Sequence, residues 1–464
     1  MAAERERLHK TWIHSDQFIP RRFVQPIQSF MRIEAASGII MLIAAVAAVW
    51  WANASFGETY FGFLETQFSL QFGSFHLEEH LSHLVNDGLM AIFFFVVGLE
   101  IKRELVLGEL RDRKAATLPV MAALGGMIFP ALIYALFNAG NPAALRGWGV
   151  PMATDIAFSL GVISLLGKRV PSAAKIFLLA LAIVDDLGGI LVIAIFYTDQ
   201  LAMGWLAGGL LGLVLVWAAS RAGIRSHMFY IPIAFVIWYF FLESGVHATL
   251  AGVALGFLTP SRPMYGVQEF DRKARVVLDT YPATADTPED RDHADHEALL
   301  LSEITRESVA PLIRNEHRLA LWSSFAVIPV FALVNAGVRF EGSIVDALLS
   351  APALGVALGL IVGKTVGISL FSWIAVKTGL GKLPTNTTWR HLVGVASMAG
   401  IGFTVALFIT ALAFTDVALA DDAKVGIFAG SIVSAIIGTA VLLTTKPVVH
   451  PDPAPEAEAV AATA

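Results

Sequence analysis

"ALAIVDDLGGILVIAIFYT", Ala180 to Thr198, places two adjacent carboxylates, Asp185 and Asp186, inside an otherwise apolar run. About 20 apolar residues suffice to cross the hydrocarbon of a bilayer. A charge at the bilayer centre costs about 2.5 to 3.5 kcal/mol on insertion scales, so such residues face a cavity or pair internally. Two acids side by side therefore call for a partner or a task elsewhere in the chain.

The composition agrees with a membrane setting. Of 464 residues, 56% are hydrophobic and 15% charged, against roughly one quarter charged in soluble domains. With a net charge of -6 and no basic stretch interleaved with aromatics, a nucleic-acid partner is excluded. The absence of cysteine rules out disulfides, thiolate metal sites and cysteine nucleophiles. Residues 1–33 carry charges throughout with no apolar core, so no cleaved signal peptide is expected.

Apolar runs predict spans near 34–53, 84–105, 116–138, 148–166, 172–197, 201–219, 227–243, 245–259, 318–338, 352–376, 389–414 and 424–444. The expected fold is all-α and polytopic, with twelve transmembrane helices. Residues 1–33 form an amino-terminal tail, 34–445 the transmembrane domain, and 446–464, "PDPAPEAEAVAATA" at its end, a disordered tail.

Basic residues alternate between connections. One side holds Arg5, Arg7, Lys10, Arg21, Arg22 and Arg32, then Lys102, Arg103, Arg111, Arg113 and Lys114, then Lys168, Arg169 and Lys175. Arg221, Arg225, most of the 260–317 loop, Lys377, Lys382 and Arg390 follow on that side; the other offers only Arg146, Arg339 and Lys424. Both termini are therefore expected in the cytoplasm. The 260–317 loop, with "ATADTPEDRDHADHEALLLSEITRES", is acidic and reads as a solvated, partly flexible segment, with metal binding at His293 and His296 the lesser alternative. "FLETQFSLQFGSFHLEEHL" within 54–83 alternates apolar and polar residues, as in an exposed hairpin or a short interfacial helix.

Few ionisable residues remain at membrane depth: Asp87, Glu100, Asp155, Asp185, Asp186 and Lys364, the one basic residue near the middle of a span. Adjacent helical residues point about 100° apart. One acid of the pair can thus face a water-filled cavity and bind a cation while the other meets a partner helix and pairs with Lys364. A hard cation such as Na+ prefers oxygen ligands, and its binding to a carboxylate expels the proton; that competition is the physical basis of exchange. For Asp87 and Glu100 a purely structural role stays open, and His247 in "GVHATLAG" reads as a packing histidine.

Two spans are interrupted. "WGVPMATDIAFSLGVISLL" carries Pro151, Thr154 and Asp155, and "HLVGVASMAGIGFTVALFITALAF" carries Gly400, Gly402 and Thr404. Each lies in the middle of a three-span group, spans three to five and ten to twelve, and an odd shift of seven spans inverts one group relative to the other. Interrupted helices at corresponding positions of inverted repeats point to a transporter site near the midplane, where they cross. The half-helix ends would be positive at amino ends, offset by Asp155, and negative at carboxyl ends, offset by Lys364.

The segments "NDGLMAIFFFVVGLEIKREL", "ATDIAFSLGVISLLGKRVP", "KIFLLALAIVDDLGGILVIAIFYT", "SGVHATLAGVALGF", "FALVNAGV", "GKTVGISLFSWIAV" and "AGIGFTVALFI" run in order from about residue 30 to 445. In these the chain resembles the bacterial NhaA-type Na+/H+ antiporters. The resemblance implies a pH-regulated, electrogenic exchanger of the bacterial inner membrane that exports Na+ or Li+ against entering H+ by alternating access. These ions are transported substrates; no cofactor and no enzymatic activity are implied. Asp186 is by resemblance the principal cation and proton carboxylate, with Asp185 alternating between the ion and Lys364. Thr154 and Asp155 line the site, and Gly400 and Gly402 mark the second break. Asp87 matches an access-funnel position, while Glu100, Arg103, Glu104, Glu316 and His317 match a cytoplasmic cluster associated with pH activation. A homodimer contact maps onto the 54–83 segment.

Two departures touch the pH response: the 260–317 loop is longer and more acidic than in compact members, and Ala320 replaces a further histidine of the cluster. Competing readings are a retinal-bound light-driven pump with Lys364 as Schiff base, a passive cation channel and an intramembrane aspartyl protease. Twelve spans with two interruptions disfavour the first, and adjacent rather than facing acids disfavour the last.

Overall fold

The computed structural model describes residues 36–72, 75–198, 201–282, 284, 286–340 and 343–446. The amino-terminal tail and the carboxyl-terminal tail beyond Lys446 lie outside the described residues. Among the described residues, eight helices are long and apolar enough to cross a membrane, and two bent pairs pass the same test together. The protein is a multi-pass, helical membrane protein.

The eight are α1 (Ala36–Asn53), α2 (Leu81–Val106), α3 (Arg113–Asn138), α6 (Ser172–Phe196), α7 (Met203–Arg221), α12 (Pro311–Asn335), α13 (Ala351–Lys377) and α16 (Val417–Leu443). The bent pairs are α4 (Pro142–Met152) with α5 (Ile156–Leu165), and α14 (Trp389–Met398) with α15 (Phe403–Ala413), each bent by 45°. Two shorter apolar helices, α8 (His227–Glu243) and α9 (Thr249–Leu258), occupy the seventh and eighth predicted positions. The ten residues of α9 rise only about 15 Å, half the hydrocarbon thickness of about 30 Å.

Several expectations need correction. The 260–317 segment is mostly helical, comprising α10 (Val267–Thr280) and α11 (Pro288–Glu307). Its acidity concealed a capping box, in which Thr287 Oγ1 accepts the Asp290 N–H and the Asp290 carboxylate accepts the Thr287 N–H. Span twelve, expected from 424, begins at Val417, and span nine, expected from 318, begins at Pro311. Arg314, Glu316, His317 and Arg318 lower the hydropathy of those turns without interrupting their helical hydrogen bonding. His293 and His296 are exposed on α11, and no group of three or more potential metal ligands exists among the described residues.

Within 54–83, a short helix, Glu58–Leu64, precedes an antiparallel hairpin of β1 (Gln67–Phe72) and β2 (Phe75–His80). The register runs from Gln67 opposite His80 to Phe72 opposite Phe75. The alternating stretch 63–81 thus forms the hairpin of its two expected forms, and the short helix lies almost entirely ahead of it.

The chain divides into two compact units. The first takes in α3 to α5, α6 as far as Asp186, and α13 to α16. Its helices approach through small residues, as is usual where lipid supplies no hydrophobic drive between helices. A β-carbon at Gly125 of α3 or Gly367 of α13 would lie 2.1 Å from the other residue's carbonyl oxygen, so both positions must be glycine. The second unit contains α2, α7 to α12 and the hairpin. There Gly98 of α2 meets Val253 and Gly256 of α9 in a similarly close crossing.

Candidate functional site

The site lies in the first unit, where both bent helix pairs break. Between α4 and α5 the backbone at Ala153 and Asp155 is extended, and between α14 and α15 the chain turns through Ala399 to Gly402. Each break frees backbone groups that must find partners in a region without bulk water. They find them across the gap. The Asp155 N–H donates to the Ile401 carbonyl at 2.6 Å. The Thr154 hydroxyl donates to the Ala399 carbonyl at 2.8 Å, and the Ser159 hydroxyl to the Met398 carbonyl at 3.0 Å. The carboxyl end of α14 is thus satisfied by groups at the start of α5.

Asp155 serves two helix starts. Its Oδ1 accepts the Phe158 N–H of α5 at 2.9 Å; its Oδ2 accepts the N–H and hydroxyl of Thr404 in α15 at 3.1 and 2.8 Å. Carboxylates are favoured at amino-terminal helix ends, where unsatisfied N–H groups carry partial positive charge. Thr404 stood out in the sequence only as an interruption of span eleven. Its role as the hydroxyl partner of Asp155 has no sequence signal, since threonine is common in membrane helices.

Lys364 enters from α13 and is completely buried. It ends a π-helical turn, Gly359 to Lys364, of the kind that recurs at functional sites. Around it, Gly363 packs on Pro130, and a β-carbon at Gly126 would lie 3.6 Å from the lysine stem. Its Nζ donates to Asp185 Oδ2 at 2.5 Å and to Thr154 Oγ1 at 3.0 Å. Asp185 Oδ1 accepts no hydrogen bond among the described residues. Asp186, the next residue on α6, is buried and lies within electrostatic reach of Lys364. Asp185, Asp186, Thr154, Asp155 and Lys364 therefore form one buried constellation, with Gly400 and Gly402 in its second break.

The remaining predicted residues belong to the second unit. Asp87 sits in another π-helical turn, Leu84 to Leu89, and its carbonyl accepts the Trp238 indole N–H at 2.7 Å. Arg103 pairs with Glu316 at 2.6 Å. Glu104 accepts the Glu109 N–H at 3.1 Å, and Glu100 lies within electrostatic reach of Arg103, Glu104 and Glu316. His317 lines a cleft formed with α10 and α11. His247 hydrogen-bonds the Tyr197 carbonyl at 2.8 Å, a packing contact.

A buried lysine thus bridges a threonine and one of two adjacent aspartates at the meeting of two broken helices. The family profile described as Na+/H+ antiporter 1 matches residues 28–442. The chain belongs to that family. The Na+/H+ antiporter NhaA of Anaeromyxobacter sp. (strain Fw109-5) is 48% identical over 436 residues, which cover 93% of this chain and 94% of the relative. The Na+/H+ antiporter NhaA 2 of Syntrophotalea carbinolica is 44% identical over 421 residues, covering 90% and 96%. A solved sodium proton antiporter from Methanocaldococcus jannaschii matches at a TM-score of 0.40 and 14% identity over 88% of this chain and 97% of that one, too loose a likeness to argue from.

Proposed function

We propose that this chain is a secondary active antiporter of the bacterial inner membrane, exporting Na+ or Li+ in exchange for H+ by alternating access. The observation that carries this is the fully buried Lys364 ammonium held by Asp185 and Thr154 beside Asp186. Asp186 is the principal cation and proton carboxylate. When Na+ arrives, Asp185 turns from Lys364 to the ion, and Thr154 and Asp155 complete an oxygen-rich surround suited to a hard cation. Proton and cation compete for the same carboxylates, so the two fluxes are coupled. More protons than sodium ions move per cycle, which makes the exchange electrogenic and useful for sodium and pH homeostasis.

The same reading takes 34–445 as a transmembrane domain of twelve spans, supported by eight long helices, two bent pairs and two shorter apolar helices. An inverted repeat is supported by the order helix, bent pair, helix in both α3 to α6 and α13 to α16. Both termini are cytoplasmic. Asp87 belongs to the access funnel, and Glu100, Arg103, Glu104, Glu316 and His317 to the pH response. The 54–83 segment joins two copies into a dimer.

Inverted membrane vesicles acidified inside test the activity. Adding Na+ or Li+ should dissipate the proton gradient. A gradient unmoved by either ion between about pH 6.5 and 9, from the histidine range upward, would overturn the reading.

A further inference from the structure

The helices α10 and α11 and the start of α12 enclose an open cleft of about 870 Å³. That size falls within the roughly 300 to 1,000 Å³ of small-molecule sites. Its lining is apolar at Val277, Leu278, Leu301 and Ile313, and basic at Arg306, Arg314 and Arg318.

Around Arg314 the charges of the described residues do not balance. Arg314 is surrounded by the guanidinium groups of Arg225, Arg306 and Arg318 and by a single carboxylate, Glu307. Glu307 is buried and already shared: it lies 3.3 Å from Arg225, 3.3 Å from Arg306 and 3.9 Å from Arg314. Glu316, on the same helix as Arg314, is taken by Arg103. The Arg314 side chain is only 8% exposed; one nitrogen donates to the Arg306 carbonyl at 2.8 Å, while its Nε finds no acceptor among the described residues. Four like charges against one carboxylate in a partly desolvated place repel one another unless an anion joins them. Guanidinium forks are the side chains best matched to phosphate and carboxylate oxygens.

We propose that this cleft binds a small amphiphilic anion, a phosphate or carboxylate head carrying an apolar chain. The head sits on Arg306, Arg314 and Arg318, and the chain lies along Val277, Leu278, Leu301 and Ile313. A purely inorganic anion would leave the apolar wall unused, and a neutral amphiphile would leave the arginines uncompensated.

The test is isothermal titration of the full-length protein in nanodiscs of zwitterionic lipid, with empty nanodiscs as blank and octyl phosphate, octanol and inorganic phosphate as probes. Octyl phosphate should bind saturably, one per chain, about tenfold or more tighter than either of its halves. Arg306→Gln and Arg318→Gln, both at exposed positions on formed helices, should each weaken it about tenfold while keeping the wild-type thermal midpoint. Nanodiscs doped with phosphatidic acid separate the sources. Loss of octyl phosphate binding there identifies a bilayer lipid as the ligand, and undiminished binding identifies a soluble compound, both in line with the proposal. Heat no greater than the blank, inorganic phosphate binding as tightly as octyl phosphate, or unchanged affinity in both folded variants would overturn it.

Discussion

Lys364 Nζ lies 2.5 Å from Asp185 Oδ2, with both side chains sealed from solvent. Removing one member of a buried ion pair typically destabilises by about 3 to 5 kcal/mol, because the other charge is left behind. Lys364→Ala should therefore lower the thermal midpoint of the purified protein, and Lys364→Ala with Asp185→Asn should recover much of the loss. Equal midpoints for the single and double variants would show that the pair is not coupled.

Asp186 is buried beside that pair, one residue along α6. Asp186→Asn should reduce Na+-driven dissipation of the proton gradient in inverted vesicles to background, with the protein still folded by its thermal midpoint. Full exchange in this variant would move the ion to other ligands.

Thr404 gives Asp155 both a hydroxyl and a backbone hydrogen bond. Thr404→Val keeps the shape and the backbone donor and removes the hydroxyl. A hydrogen bond to a charged group contributes about 1.5 to 3 kcal/mol, so the variant should melt earlier than Thr404→Ser, which retains the donor. Indistinguishable melting of the two would mean the hydroxyl carries no load.

Hydrogen bonds from Thr287 hold the Asp290 carboxyl below the ordinary aspartate value of 3.8. The folded-state value is depressed, so this contribution to the α11 cap is present above 3.8 and disappears as pH falls through the lower folded value. Amide exchange protection in the first turn of α11 should accordingly persist at pH 3.8 and be lost only further down. Loss beginning well above that pH would contradict the cap geometry.

Hydropathy located the apolar helices because a helix facing hydrocarbon must be apolar where it crosses it, and most ends fall within a few residues of the predicted runs, while α4 starts six and α16 seven residues early. The exceptions are instructive. Arg314 to Arg318 made the first turns of α12 look like loop, since hydropathy sees charge and not hydrogen bonding. Acidity hid α11 in the same way, although Thr287 and Asp290 stood in the sequence with capping-box spacing. At the site, Asp185, Asp186, Asp155 and Lys364 were legible because a charge among apolar neighbours is conspicuous. Thr404 and the π-helical turn ending at Lys364 were not: a threonine or a pair of glycines in a membrane helix fits many local structures, and only packing against α5 and α3 selects one.

The two helix breaks complete each other. The Asp155 N–H rests on Ile401, the Thr154 hydroxyl on Ala399, and the α15 start on the Asp155 carboxylate. A β-carbon at Gly400 would press into the Leu360 carbonyl and the Ser434 hydroxyl, and one at Gly402 into the Ala153 carbonyl. Straightening either helix would thus strand polar groups of the other, so the two breaks are structurally coupled. Substitutions at 153–155 and 399–404 are accordingly expected to be epistatic, a variant at one break becoming tolerable only with its counterpart at the other.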